Sequence, residues 1–412
     1  MKKLLSFILS LTLALSLCAV SACAGSNDKG GQGVKLISGN DLVSNEPFVK
    51  WEGRYSFTES DGDLPAKVNL YHSATGFTIE FTGTELYVTF ESEISGGKSS
   101  REPYYNVAVD NEVIPTVSPE RTFKLTGGTE KVCIVSGLEN KKHVVKCLKM
   151  SEPYDAITSI ISFETDGAFI KRDLDYDNAN FRFMFVCASG GSGHGSLGYS
   201  DDGKGSLGRN TKNSSALHSF NYLTARMFGA DVQYVGNSGW GVSYPSGQSV
   251  YDVIDYSGIT PSNNVSSAKQ TALWDHSKWI PDVIIFNIGG NDTVQDGFKQ
   301  SVYQEEVVKL VKKLHDLYPN AYMIWTHTNS NAGKYAISAL NDGGVMRAGY
   351  LKEVIIPKVG ADGTVGANNH NSLATHIETA NILANALTTT WGFTVIEPNV
   401  TLENYDSVLV KF

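Results

Sequence analysis

The hydrophobic pattern of the chain changes period once, near residue 168, and that change dictates two differently built halves. From about Phe48 to Glu164 apolar and polar residues alternate: Phe77, Ile79 and Phe81, then Gly83, then Leu86, Val88 and Phe90. A period of two puts one face of a strand in the core and the other in water, so this half reads as antiparallel strands, with Gly83 turning a hairpin. Further strands are expected at YNVAVD, KVCIV and HVVKCLKM, separated by turn signals at Asp110-Asn111, Gly127-Gly128 and Gly137. No helical period interrupts them, which favours an all-β sandwich of jelly-roll type.

After SIISFETDG the grammar is different. FRFMFVCAS, ADVQYVGNS, PDVIIFNIGG and NAYMIWTHT are short, nearly continuous apolar runs, as expected of parallel strands covered on both faces. Helical patterns lie between and after them. One carries Phe220, Leu223 and Met227 and closes at Gly229; another, QEEVVKLVKKLHDLYP, closes at Pro319. A last one, about 372–390, places Ile377, Ala380, Ala384 and Leu387 on one stripe. Such alternation builds a doubly wound, mostly parallel sheet with flanking helices, whose ligands sit at the carboxyl ends of the strands. The expected layout is a β-sandwich over 46–167 and an α/β domain over 168–412, and 412 residues with 41% hydrophobic content can bury both cores.

Residues 1–22, MKKLLSFILSLTLALSLCAVSA, have the basic start and apolar run of an export signal. Val20-Ser21-Ala22-Cys23 resembles a lipobox, which makes Cys23 the expected lipid anchor and the Gly-rich 23–45 a flexible tether. Beyond the signal no run of about 18 apolar residues occurs, so the membrane is met only through that anchor. The chain is expected to be exported, either held on the outer face of a bacterial membrane or secreted. A net charge of −9 without a basic cluster argues against nucleic acid as a partner. Outside the export segment stand Cys133, Cys147 and Cys187, with no C-x-x-C spacing, so no zinc site is expected. Cys133 and Cys147 are expected as two buried free thiols, a disulfide between neighbouring strands being the alternative.

The strand ends are where chemistry is expected. Ser189 follows the first run, Asn237-Ser238-Gly239-Trp240-Gly241 the second, Gly289-Gly290-Asn291-Asp292 the third, and Asn369-His370-Asn371-Ser372 precedes the last helix. A nucleophilic hydroxyl needs a base within hydrogen-bond reach, and the oxyanion it creates needs fixed donors. Ser189 could attack and His370 take its proton, with the Ser189 and Gly239 amides and the Asn291 side chain holding the oxyanion. The Gly-rich ASGGSGHG has neither the G-K-[ST] ending nor the G-x-G-x-x-G spacing of a phosphate cradle.

Ser189, Gly239, GGND at 289–292 and NHNSLATH at 369–376 resemble the four blocks of the SGNH hydrolases. Together with FTIEFTGTELYVTFES, YYNVAVDNEVIP, YVGNSGWGV and WDHSKWIPDVIIFNIGGND, they make the chain from about 45 to 390 similar to carbohydrate esterase family 2. Members of that family join an N-terminal jelly roll to an SGNH domain and deacetylate plant polysaccharides such as xylan and glucomannan. The resemblance implies an acetylated polysaccharide or oligosaccharide as substrate and no metal or organic cofactor. It also implies Ser189 as nucleophile and His370 as base. Trp240 is a candidate sugar-stacking platform, core packing being the other reading, and His194 a candidate pocket or sugar contact.

Two departures stand out. Cys187 and Ala188 occupy the places of the family's usual Gly and Asp before the serine, and Ser192 in the loop beyond is an alternative nucleophile. Upstream of His370 the common Asp is Ala367, leaving Asp362 as the nearest carboxylate. Members of the family in which a backbone carbonyl orients the histidine make a Ser–His dyad workable. The leading expectation is thus an acetyl-polysaccharide esterase acting through an acyl-enzyme. The alternative is a carbohydrate-binding lipoprotein of the same fold that has lost catalysis. A lipase or thioesterase is disfavoured, since no large apolar lid is visible.

Overall fold

The computed structural model describes residues 33–44, 47–172, 181–200, 207–243, 249–261, 268–397 and 400–411. The expected export signal and Cys23 lie outside the described residues, as does the expected tether up to residue 32. Residues 33–412 form one compact unit.

The N-terminal part is a sandwich of two antiparallel sheets. One contains β1 (Leu36–Ser38), β3 (Tyr55–Thr58), β4 (Lys67–Leu70), β6 (Leu86–Ile94), β9 (Gly128–Val135) and β11 (Ala156–Thr165), in the order β3-β4-β11-β6-β9, with β1 also on β11. The other contains β2 (Val49–Glu52), β5 (Gly76–Gly83), β7 (Tyr104–Val109), β8 (Thr122–Lys124), β10 (Lys141–Lys149) and β12 (Ala168–Phe169), in the order β12-β5-β10-β7-β8, with β2 also on β5. Phe77, Ile79 and Phe81 of β5 meet Leu86, Val88 and Phe90 of β6 in one core, all fully buried.

The expected hairpin at Gly83 does not form. β5 and β6 belong to opposite sheets, and the chain crosses the sandwich at residues 83–85. Asp166 pins this corner, accepting from the Thr84 amide at 2.8 Å, the Glu85 amide at 3.1 Å and the Thr84 hydroxyl at 2.7 Å. Alternation fixes which side chains face inward, but two strands facing one core from opposite sheets alternate just as a hairpin does. The cysteine expectations are corrected in the same way. Cys133 on β9 and Cys147 on β10 sit in different sheets as free thiols, Cys147 buried and Cys133 exposed.

The C-terminal part is a five-stranded parallel sheet. Its strands are β13 (Arg182–Cys187), β15 (Asp231–Gly236), β16 (Val283–Asn287), β17 (Tyr322–His327) and β18 (Leu351–Ile355), in the order β15-β13-β16-β17-β18. Two short strands, β14 (Gly198–Tyr199) and β19 (Val410–Lys411), pair in parallel beside it. The residues of β13 alternate between two cores: Phe183, Phe185 and Cys187 enter one, Met184 and Val186 the other. Helices α1 (Phe220–Met227) and α5 (Leu373–Trp391) cover the first face. The short α2 (Val250–Val253), α3 (Gln300–Leu317) and α4 (Asn331–Asp342) cover the second. The stripe of α5 is buried as expected, Ala380 and Leu387 completely. Strand β18 and helix α4 were not legible in the sequence pattern.

The sandwich and the parallel sheet share buried contacts. Leu148 and Met150 join the first core of the α/β domain. Arg54, fully buried, donates to Gln233 Oε1 at 2.8 Å and to the carbonyls of Ile254 and Tyr256 at 2.6 and 3.0 Å. Lys50 pairs with Asp231 at 2.8 Å.

Candidate active site

In the sheet order, β13 lies between β15 and β16, the point where the winding reverses and a crevice opens at the carboxyl edge. Ser189 leaves β13 beside that crevice, Gly239 follows β15 and Asn291 follows β16. A cavity of about 200 Å³ opens there, lined by Ser189, Gly190, Asn287, Asn291, Thr328 and Ser330 among others.

His370 reaches the same place from the start of α5. Ser372 caps that helix, accepting from the Thr375 amide at 3.2 Å, so the chain before it is bent sharply away from the helix axis. Asn368 and Asn369 both adopt left-handed φ values of 53° and 56°, a conformation asparagine tolerates better than most residues. The bend sends the Asn368 carbonyl back onto its neighbour: His370 Nδ1 donates to it at 2.7 Å. On the far side of the ring, His370 Nε2 is 2.9 Å from Ser189 Oγ. A carbonyl oxygen can only accept, so Nδ1 holds the proton and Nε2 faces the hydroxyl with its lone pair. Burial pushes the imidazole pKa below its ordinary value, with the Asn368 carbonyl and Glu152 working against that and Arg209 with it.

The other expected residues divide. Asn237 to Trp240 form a turn closed by the Trp240 amide on the Asn237 carbonyl at 3.2 Å, with Gly239 in its third position at φ 80°. Among the described residues neither the Gly239 amide nor the Ser189 amide has a hydrogen-bond partner. The Asn291 side chain lines the cavity and spends one of its two N–H groups on the Trp240 carbonyl at 2.8 Å. Asp292 is fully buried and ties the loop after Trp240 to the GGND turn, accepting from the Val242 and Ser243 amides at 3.0 and 2.6 Å.

Four expectations are corrected. Trp240 is fully buried in the second core and offers no face for a sugar. His194 is also buried and does not line the cavity. It accepts from Asn368 Nδ2 at 3.1 Å and meets the His370 ring edge-on at 4.5 Å. Ser192 is buried with its hydroxyl 3.6 Å from Cys187 Sγ, facing the core and not the cavity. Asp362 is spent on Thr364, accepting from its amide and hydroxyl at 2.9 Å each, while the Asn368 carbonyl occupies His370 Nδ1. The glycines of the 190–195 turn serve packing: a Cβ on Gly195 would lie 2.1 Å from the Ala367 carbonyl oxygen.

Sequence reasoning missed Glu152, Asp155 and Arg209, which meet behind the site. Arg209 pairs with both carboxylates and lies over the Tyr154 ring at 4.0 Å. Nothing in EPYD or in the isolated Arg209 announces this, because the contact is made only when the sandwich packs on the α/β domain.

A parallel sheet with a serine–histidine pair at its carboxyl edge, joined to an antiparallel sandwich, has the two-domain fold of carbohydrate esterase family 2 enzymes. Residues 52–171 match the family model described as Carbohydrate esterase 2 N-terminal. The chain is 24% identical over 342 residues to the cellulase/esterase CelE of Acetivibrio thermocellus, which covers 80% of this chain and 38% of CelE. It therefore spans well under half the length of that relative. It is 22% identical over 309 residues to an acetylxylan esterase / glucomannan deacetylase of Cellvibrio japonicus, covering 71% of this chain and 78% of that protein. A family two carbohydrate esterase from Clostridium thermocellum, solved in complex with cellohexaose, matches with a TM-score of 0.69 at 22% identity over 84% of this chain and 100% of that one. An acetyl xylan esterase from the rumen bacterium Butyrivibrio proteoclasticus matches with a TM-score of 0.69 at 18% identity, over 88% of this chain and 100% of that one. At these identities the likeness to the solved structures is one of fold.

Proposed function

We propose that the protein is a carbohydrate esterase that removes O-acetyl groups from a polysaccharide such as xylan or glucomannan through a Ser189–His370 acyl-enzyme. The observation that carries this reading is Ser189 Oγ at 2.9 Å from a His370 ring whose other nitrogen is fixed by a carbonyl at 2.7 Å. Support for the glycan class comes from relatives named for acetylxylan and glucomannan and from a structural neighbour holding cellohexaose.

In the first half-reaction Oγ attacks the acetyl carbonyl carbon while His370 Nε2 takes the hydroxyl proton. The charge that develops on the acetyl oxygen is met by the Ser189 and Gly239 amides and the Asn291 carboxamide. The bond from the acetyl carbon to the sugar oxygen then breaks, and the sugar hydroxyl departs with the proton held by His370. In the second half, water loses a proton to His370 as it attacks acetyl-Ser189, the bond from the acetyl carbon to Oγ breaks as His370 returns the proton to Oγ, and acetate leaves. Orientation by a carbonyl places no full negative charge beside the imidazolium, and an ester demands less help than an amide.

Acetate release from acetylated xylan and acetylated glucomannan tests the proposal. The wild type is expected to release acetate, and Ser189→Ala, His370→Ala and the double variant to lose similar amounts of activity, on the order of 10³-fold or more, because the pair acts as one unit. Full activity in Ser189→Ala would overturn the assignment. A wild type that binds the polymer and releases nothing is the catalytically degenerate binding protein instead.

A further inference from the structure

Glu152 is a buried carboxylate at the site for which the acyl-enzyme reading has no use. It lies between β10 and β11, on the segment where the sandwich reaches the carboxyl edge of the parallel sheet, and it touches two sides of the site. On one side it accepts from the Ser238 amide and the Ser238 hydroxyl, both at 2.5 Å. Two residues on, the Tyr154 amide donates to Asn237 Oδ1 at 2.8 Å. The turn that presents the Gly239 amide is thereby clamped at both of its preceding residues.

On the other side a Glu152 oxygen lies 3.7 Å from His194 Nδ1. His194 accepts from the Asn368 amide on Nε2, so its proton is on Nδ1, facing Glu152 and, at 3.4 Å, the Ser214 hydroxyl. A negative charge opposite Nδ1 fixes that tautomer. The Asn368 side chain is thus tethered to His194 while its carbonyl holds His370. Burial works to raise the Glu152 pKa, but Arg209 and the Ser238 hydrogen bond work against it and hold the group below the ordinary carboxylate range, in its charged form. Arg209 is itself fixed on Asp155 at 2.8 and 2.9 Å and on Ser238 Oγ at 3.1 Å.

We propose that Glu152 is a positioning residue of the esterase site: it fixes the turn carrying the Gly239 amide and, through His194 and Asn368, the carbonyl that orients His370. The sandwich domain on this view supplies part of the active site. The inference rests on the esterase reading.

The charged groups that face His370 are Glu152 and Arg209, of opposite sign, while His194 and His376 beside it are neutral. Glu152→Gln keeps the shape and removes the charge. The expected result is a kcat lower by about 10- to 100-fold with KM little changed, as for a misplaced catalytic group. The acid limb of the pH profile should move to lower pH. Arg209→Met should move it to higher pH, and Glu152→Asp should restore part of the Glu152→Gln displacement, a pattern that a purely structural role would not produce. An NMR titration of the His370 imidazole in wild type and variants reads the same displacements without turnover. A wild type that releases no acetate would therefore sink the esterase reading while the titration still decides for or against Glu152. If Glu152→Gln does not fold, Asn368→Gly cuts the His194 arm while keeping the left-handed backbone, and Ser238→Ala loosens the other, removing the hydroxyl and leaving the Ser238 amide on Glu152. Wild-type kcat and an unmoved His370 titration in Glu152→Gln, or in both of those variants, would overturn the proposal.

Discussion

At the scale of single residues, the site depends on the protonation state of one ring. On the proposed mechanism His370 must be neutral to take the Ser189 proton, and burial holds its pKa below the ordinary imidazole value of about 6.5. A lowered pKa keeps the base neutral to more acidic pH, so kcat/KM should be flat through neutrality and fall only with an apparent midpoint below about 6.5. A midpoint above 7 would mean that another group controls the reaction. Asn291 gives the second residue-scale prediction. On the proposed mechanism Asn291→Ala removes one of the oxyanion's donors, and a loss of about 10² to 10³ in kcat with little change in KM is expected. A change confined to KM would make Asn291 a substrate-positioning group only. The meeting of Ser189 and His370 was legible because both sit where strand-end logic looks, next to an apolar run and a helix start. Trp240 was left open between sugar platform and core because a tryptophan after a strand reads the same whether its ring turns outward or, as here, into the second core. Glu152 and Arg209, 57 residues apart, could not be found at all, since only tertiary packing brings them together.

Among the elements, helix α5 does the most to place His370, because the bend that carries it is anchored at its start. Its grip on the sheet comes from the stripe that periodicity picked out, extended by the fully buried Leu383. Leu383→Ala is expected to cost about 2–5 kcal/mol, the removed methyl groups plus the cavity they leave. Glu378→Ala on the exposed face of the same helix should stay within about 0.5 kcal/mol. Urea denaturation of the two variants checks the contrast. Periodicity told helix from strand and inside from outside over most of the chain. It could not say which sheet a strand joins, because β5 and β6 bury their alternate residues against one another across the sandwich. Helix α4 escaped notice because its buried positions are mainly alanine and glycine, Ala332, Gly333, Ala336 and Ala339, which carry little hydropathic contrast.

For the whole molecule, buried neutral histidines set the response to acid. Burial holds His72, His194, His218 and His376 each down to about 3. Unfolding releases them to about 6.5, so between about 6.5 and 3 the unfolded chain binds protons that the folded one refuses. Stability should therefore be highest above pH 6.5 and drop steadily as the pH falls through that window. Asp155, pushed up to about 6 by burial, works the other way, as do Asp231 and Asp292, also raised by burial, but these three stand against the four histidines and against Glu52, held down to about 2 beside Lys146 and Lys50. Melting temperatures recorded from pH 8 to pH 4 test this, and a rise on acidification would contradict it. Two of these histidines lie in different halves, His72 in the sandwich and His376 in α5, so acid should loosen both together. The Asn368 carbonyl has a consequence of another kind. The group that steers His370 is an atom every amino acid possesses, so a codon change at position 368 cannot delete it, and a survey that swaps side chains one at a time would pass over it in silence. Its contribution is written in the shape of the turn and not in any letter of the sequence.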